Sequence, residues 1–492
     1  MKQKFYTPAS LSCFLLALSA VPAVARPVSS SSSLNWLGCE TPHFAIYTTD
    51  PQNRSMEFLS RLDTARRFFE QTGWTSRDAN PRVEILAFGS EREYDSYRLN
   101  PSAFAFYQRT SQGDYIVMRD LDPDHYSVAV HEYTHFVVEH AGLNLPLWLN
   151  EGIADFYSTI ESRQGQAFLG LPPSGREETV RSRHWIDWTT LAAVDGDSDY
   201  YQQPEKMLLF YSQSWAMVHM LATDARYAGD FPKFLSAISA GASASDAFVT
   251  IYRQTMQQAG DQLKRYISSK KLVGRLVNVD LRSEPLTTRN IANAERCAEF
   301  AVAEVQAANP ETVAEAKSRL EALSVRYPDD PRAHESLGYI AMSSGAQRDA
   351  AEQFASAVHE NSQDPQVLLR LAHLKLKTDG PSEEVIDLLE RVLAKDSGNY
   401  NARLELGFTA AKIEKYEIAV HALEKIEAPK AEHAYVVSYT LAYCLVELHQ
   451  GNRARLFAQR ASKTANDGAD QQNVAGLLRY IDQENPLEVA SR

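Results

Sequence analysis

Two histidines four positions apart, with a glutamate directly after the first, stand in His131-Glu132-Tyr133-Thr134-His135. On an α-helix four residues rise about 6 Å and turn about 40° past one full turn, so both imidazoles leave one face and can hold a single metal ion. A catalytic zinc takes three protein ligands and keeps a fourth position open, so a third group must come from another element. Glu151, within Leu145-Pro146-Leu147-Trp148-Leu149-Asn150-Glu151-Gly152-Ile153-Ala154-Asp155, is the candidate. Glu132 is placed to take a proton from a zinc-activated water, whose pKa falls to about 7 on such a metal. Asp155, one turn after Glu151, can accept the distal N–H of a ligating histidine and fix its orientation. The HExxH pattern alone arises by chance, and the nearby Asn-Glu pair gives it weight.

These side chains need two helices and a sheet to hold them. The spacing predicts a metal-binding helix from Ser127 to Ala141, stopped by Gly142. Pro146 suits the first turn of a second helix, which then carries Glu151 and Asp155 on one face. Upstream, strands are predicted at 44–48 and 83–88 and a helix at 56–71, with Phe58, Leu59, Leu62, Ala65, Phe68 and Phe69 facing inward. A further strand is expected at Asp114–Met118, either an edge that pairs with an extended substrate or an ordinary member of the sheet. From Gln164 to Gln203 the chain reads as irregular with short helices. Helical spacing returns over Lys206–Ala222 and Phe231–Tyr266.

The block resembles the gluzincin zinc metallopeptidases, and in particular the bacterial peptidase-MA-like family. That family pairs HExxH with a downstream glutamate segment rich in proline, tryptophan and small residues. The resemblance implies an α+β zincin-like catalytic domain, with His131, His135 and Glu151 binding Zn2+ and Glu132 catalytic. It also matches Asn150 to a shared Asn-Glu dipeptide, and Asp155 to the aspartate that orients a ligand histidine in thermolysin-like members. It extends loosely from Trp36 to Tyr266 and includes Phe210-Tyr211-Ser212-Gln213-Ser214-Trp215-Ala216. Tyr211 is the candidate donor to a tetrahedral oxyanion, against the alternative of an ordinary packed tyrosine, with Tyr200 and Tyr201 as substitutes. The Gly-x-Met-Glu-Asn segment of aminopeptidase-like members is missing, which favours cleavage within a chain. His43, His125, His140, His184 and His219 are isolated and expected to be surface or packed residues.

Residues 1–25 read as a cleaved signal peptide: Lys2 and Lys4, an apolar run from Leu11 to Val24, and Ala23-Val24-Ala25 before Arg26. A membrane anchor is the alternative, but the run is short and broken by Pro22. A Ser-rich tether at 26–35 follows, then the catalytic domain at 36–270 and a linker at 271–288. At 289–480 the chain repeats itself. Leu337-Gly338, Ala350, Phe354 and Ala357 return as Leu406-Gly407, Ala419, Leu423 and Ile426, and again as Leu441-Ala442, Ala454, Ala458 and Ala461. A weaker copy begins at Leu371-Ala372, and a degenerate one places Ala316, Leu320 and Leu323 before Pro328. A unit of about 34 residues resembles the tetratricopeptide repeat and implies an all-α solenoid, closed by a tail at 481–492.

The formal charge of −13 argues against nucleic acid or an anionic membrane as a general partner. Cys39, Cys297 and Cys444 are too few and too scattered for a disulfide framework. No phosphate loop, dinucleotide fingerprint or Gly-x-Ser-x-Gly elbow is present. Two readings remain. One is a periplasmic or secreted zinc endopeptidase acting on a peptide or protein substrate, with repeats that dock a substrate or protein partner. The other is a non-catalytic repeat scaffold with a peptidase-like domain.

Overall fold

The computed structural model describes residues 35–50, 54–75, 81–96, 104–182, 184–269, 272, 274–282 and 286–484. The expected signal peptide, nearly all of the tether and the last eight positions of the tail lie outside the described residues. The chain divides into two compact units, one up to Ala316 and one from Lys317.

The first unit is built on a six-stranded mixed sheet. Its strands are β1 (Leu37–Glu40), β2 (Phe44–Thr48), β3 (Val83–Ala87), β4 (Ala105–Arg109), β5 (Asp114–Met118) and a late two-residue strand at Arg289–Asn290. The order is β4-β5-β3-β2-β1 and then the late strand, with β2, β3 and β5 parallel. Every residue of β2 and β5 is buried, because both faces of the sheet are covered.

On one face lie Phe44, Ile46, Ile85, Ile116 and Met118, packed by α1 (Ser55–Gln71) and by the helix bearing the paired histidines. The six residues expected to face inward on α1 are all buried. The other face presents Ala45, Tyr47, Leu86, Phe88, Tyr115 and Val117. A helix at Ala294–Ala307 covers it through Ala294, Ala298, Ala301, Val302 and Val305. This departs from the sequence reading, which placed that helix among the repeats and 271–288 as a linker. A strand at Arg275–Asp280 pairs with Gln166–Leu169, which in turn pairs with Glu161–Arg163. The stretch is polar because its strand is solvated, and polarity alone cannot tell a solvated strand from a linker.

The strand at Asp114–Met118 is not the edge considered for it from the sequence. Asp114–Met118 is internal, hydrogen-bonded to β3 on one side and to β4 on the other. The edge is β4. The sequence reading missed β4 because Ala-Phe-Tyr-Gln-Arg lacks clear alternation.

After α2 (Glu91–Ser96) come α3 (Tyr126–His140) and α4 (Leu147–Ser158). Gly142, at φ +67°, turns the chain after α3 as its lack of a Cβ allows. Pro146 is extended and caps α4 from outside rather than lying in its first turn. Helix α4 is buried from Trp148 to Ser158, packed against α3 and against a helix at Pro204–Thr223. The segment expected to be irregular holds the second strand of a hairpin, Gln166–Leu169, whose first strand is Glu161–Arg163, and helices at Arg176–Ser182, Trp188–Ala192 and Asp199–Gln202. Three separate helices occupy Phe231–Ser239, Ala244–Tyr252 and Met256–Ser269.

The second unit is all helical. Helices at Arg332–Ser343 and Gln347–His359, Pro365–Thr378 and Glu383–Lys395, Tyr400–Lys412 and Tyr416–Glu424, and Ala434–Glu447 and Gly451–Thr464 pack as four successive pairs. Short turns make each pair an αα-hairpin. A last helix, Gly468–Glu484, packs on the fourth pair and extends past the expected end of the repeats. The recurring small residues have a direct packing role. A Cβ on Gly338 would lie 2.4 Å from the Phe354 ring, and one on Gly407 would lie 2.3 Å from Leu423.

Candidate metal centre

Helix α3 places His131 and His135 on one face, and α4 brings Glu151 to them. His131 Nε2 lies 3.1 Å from His135 Nε2 and 3.2 Å from Glu151 Oε2, and His135 Nε2 lies 3.5 Å from the same oxygen. Two ligands of a tetrahedral zinc, each about 2.0–2.1 Å from the ion, are separated by about 3.3 Å. The three atoms already have that spacing. Among the described residues, no other group of three histidine, cysteine or acidic side chains is gathered in this way.

The remaining polar atoms of the three groups are engaged elsewhere. His131 Nδ1 donates to Asp155 Oδ1 at 3.0 Å, and His135 Nδ1 donates to Asn150 Oδ1 at 3.2 Å. The acceptor oxygens each take an Nδ1 proton, so both Nε2 atoms face Glu151 and can turn a lone pair to a metal ion once one binds. Glu151 Oε1 accepts from the Tyr201 hydroxyl at 3.2 Å. Three potential ligand atoms therefore converge, an arrangement that calls for a cation between them, a proton or a metal ion, and whose spacing fits zinc.

The electrostatics agree. Burial alone would lower the His131 pKa, but its hydrogen bonds to Asp155 and Glu151 raise it to about 10. His135 is also raised: Glu151 overcomes the opposing effect of burial. Burial would raise the Glu151 carboxyl, yet the two imidazoles hold it far below the usual carboxylate range. The cluster stabilises positive charge at its centre.

Asp155 is itself anchored. Arg176 Nε donates to its Oδ2 at 2.6 Å and Arg176 Nη2 to its Oδ1 at 3.3 Å. Against the effect of burial, Arg176 and His131 hold the Asp155 carboxyl low. The Arg176 guanidinium also lies over the Tyr211 ring, 5.1 Å from its centroid. Sequence reasoning missed Arg176, an arginine in a charged segment without a motif.

Glu132, buried beside His131, accepts the backbone N–H of Tyr107 on Oε2 at 2.8 Å. Tyr211 is half-buried, with its ring 6.2 Å from that of His131 and stacked at 14° on Tyr201. Tyr201, named above as a substitute for Tyr211, reaches Glu151 instead. Tyr200 lies beside Lys206.

The histidines expected to be packed have their own settings. His219 is buried against Trp215 and Phe156, takes a hydrogen bond from Tyr266 at 2.9 Å, and burial lowers its pKa to about 4. His125 meets Asp120, and His140 meets Asp114.

Comparison with known families finds none that matches, and comparison with curated proteins finds no relative. Among solved structures the chain is similar to YrrB, described as a TPR protein with an unusual peptide-binding site. That likeness has a TM-score of 0.30 at 13% identity, over 36% of this chain and 91% of YrrB. A MamA protein gives a TM-score of 0.27 at 16% identity, over 35% of this chain and 94% of its own. PilF of Pseudomonas aeruginosa gives 0.24 at 16% identity, over 39% and 93%. The repeat architecture rests on the helix pairs themselves.

Proposed function

We propose that this protein is a zinc-dependent metallopeptidase of the gluzincin type that cleaves within peptide or protein chains. The observation that carries the reading is the convergence of His131 Nε2, His135 Nε2 and Glu151 Oε2, with every other polar atom of those groups hydrogen-bonded. Zinc, when bound, supplies Lewis acidity that makes water a nucleophile near neutral pH and polarises a peptide carbonyl.

The chain's own residues do the rest. His131 and His135 keep their Nε2 lone pairs available because Asp155 and Asn150 hold the Nδ1 protons. Glu132 takes a proton from the attacking water and passes it to the departing amide nitrogen. Tyr211 is the candidate to donate to the oxyanion through its hydroxyl. The edge strand β4 offers outward backbone groups to an extended peptide, a role earlier considered for Asp114–Met118.

The signal peptide expected from residues 1–25 supports a periplasmic or secreted setting for this activity. No helix among the described residues is long and apolar enough to cross a membrane. The helix pairs of the second unit offer a surface for docking a protein partner or substrate. They also support the second reading, a repeat-based interaction protein whose sheet-bearing unit binds without hydrolysing.

Metal analysis of residues 26–492, purified without chelators, tests the first reading. About one zinc per chain is expected, lost in Glu151→Ala. Glu132→Gln should keep the zinc and stop hydrolysis of unfolded casein. No zinc in the unaltered chain, even after reloading at neutral pH, overturns the peptidase reading.

A further inference from the structure

The edge strand β4 runs beside α3, the helix that carries Glu132. Phe104 and Thr110 bond to the β5 side, through Arg119 N–H to Phe104 C=O and Thr110 N–H to Gly113 C=O. In an antiparallel pair the direction of the backbone groups alternates, so the amides of Ala105, Tyr107 and Arg109 point away from the sheet. Outward amides on an edge strand ordinarily meet water. That of Tyr107 donates to Glu132 Oε2 at 2.8 Å instead.

The Tyr107 side chain is held as well. Its hydroxyl donates to Asp114 Oδ1 at 2.5 Å, and burial together with the Asp114 carboxylate pushes its pKa well above the ordinary value, so it stays protonated. Asp114 is buried at the start of β5 and takes the Nε2–H of His140 on its second oxygen at 3.1 Å. The Phe136 ring sits 6.1 Å from the Tyr107 ring and 4.4 Å from that of His140. One buried carboxylate thus joins β4, β5 and the last turn of α3.

We infer that Asp114 is a positioning residue for Glu132, acting through Tyr107. Clamping the Tyr107 hydroxyl fixes the strand in the register that presents the Tyr107 amide to the Glu132 carboxylate. A one-residue slip of β4 would turn that amide toward β5 and leave the buried carboxylate without it. The inference rests on Glu132 serving as the base, as proposed above.

Hydrogen exchange of the full chain, read residue by residue and corrected for intrinsic rates, tests it without metal or substrate. In the unaltered chain the Tyr107 amide should exchange about tenfold more slowly than those of Ala105 and Arg109. Glu132→Ala should abolish that protection. Tyr107→Phe and Asp114→Asn should each reduce it about tenfold, while the amides of Phe106 and Gln108, bonded to β5, keep theirs. A Tyr107 amide as fast as its outward neighbours overturns the inference. So does a Tyr107→Phe chain with unchanged protection at 107, or one in which 106 and 108 are released equally, since that marks simple loosening of the strand. With zinc loaded and casein as probe, Tyr107→Phe should lower kcat about tenfold at unchanged zinc content and KM. If Glu132→Gln still hydrolyses casein, the base reading fails, while the exchange data still decide whether Asp114 and Tyr107 hold that carboxylate in place.

Discussion

The two candidate ligand histidines differ in what holds them. His135 leans on the neutral amide of Asn150, whereas His131 leans on a carboxylate that Arg176 grips in turn. The Arg176–Asp155–His131 chain orients the ring and enriches Nε2 in electron density, which makes it the better donor. Replacing Asp155 by Asn keeps the shape but removes the charge. We expect zinc affinity to fall by about 10- to 100-fold, read by competition with a chelator of known affinity. Unchanged affinity would show that Asp155 does not set the His131 ring. Tyr201 plays a comparable part for Glu151, occupying the oxygen that faces away from the imidazoles.

Among the secondary-structure elements, the site depends on how closely α4 approaches its neighbours. Gly152 follows Glu151 directly, and a Cβ there would stand 2.6 Å from the backbone oxygen of Ser214, in the helix at Pro204–Thr223. Backbone cannot swing aside as a side chain can, so Gly152→Ala must push the two helices apart and carry Glu151 with them. A loss of about 1–3 kcal/mol in urea unfolding is expected, together with weakened zinc binding. Gly407→Ala is the matched control, because the three atoms nearest its Cβ would all belong to the Leu423 side chain, in the second unit. It should cost stability and leave zinc binding unchanged. If Gly152→Ala binds zinc like the unaltered chain, the α4 contact does not set the position of Glu151.

For the molecule as a whole, the extent of the first unit decides where the chain can be divided. The helix at Ala294–Ala307 covers the apolar face formed by Tyr47, Leu86, Phe88, Tyr115 and Val117, and the Tyr115 hydroxyl donates to Glu304 on that helix. A fragment ending at 270 would expose this face and lose the strands at Arg275–Asp280 and Arg289–Asn290. Uncovered apolar area of that size drives aggregation. We expect residues 35–316 to be soluble with a cooperative thermal transition, and residues 35–270 to aggregate, as read by size-exclusion chromatography and circular dichroism. A well-behaved 35–270 fragment would show that the helix is dispensable to the sheet.

Local spacing carried the parts of this protein that depend on one helix at a time. His131, Glu132 and His135 share a face because four residues make little more than a turn, and Glu151 and Asp155 do so for the same reason. The inward face of α1 and the small-residue periodicity of the helix pairs were legible on the same basis. Strand order is not local. β5 and β4 differ in which neighbours they find, and only the folded sheet makes β4 the edge that meets Glu132. Arg176, Tyr201 and the helix at Ala294–Ala307 arrive from 21, 50 and 189 positions away from their partners Asp155, Glu151 and Tyr115. Such approaches leave no period in a sequence, because they are set by how whole elements pack and not by the geometry of the chain on either side.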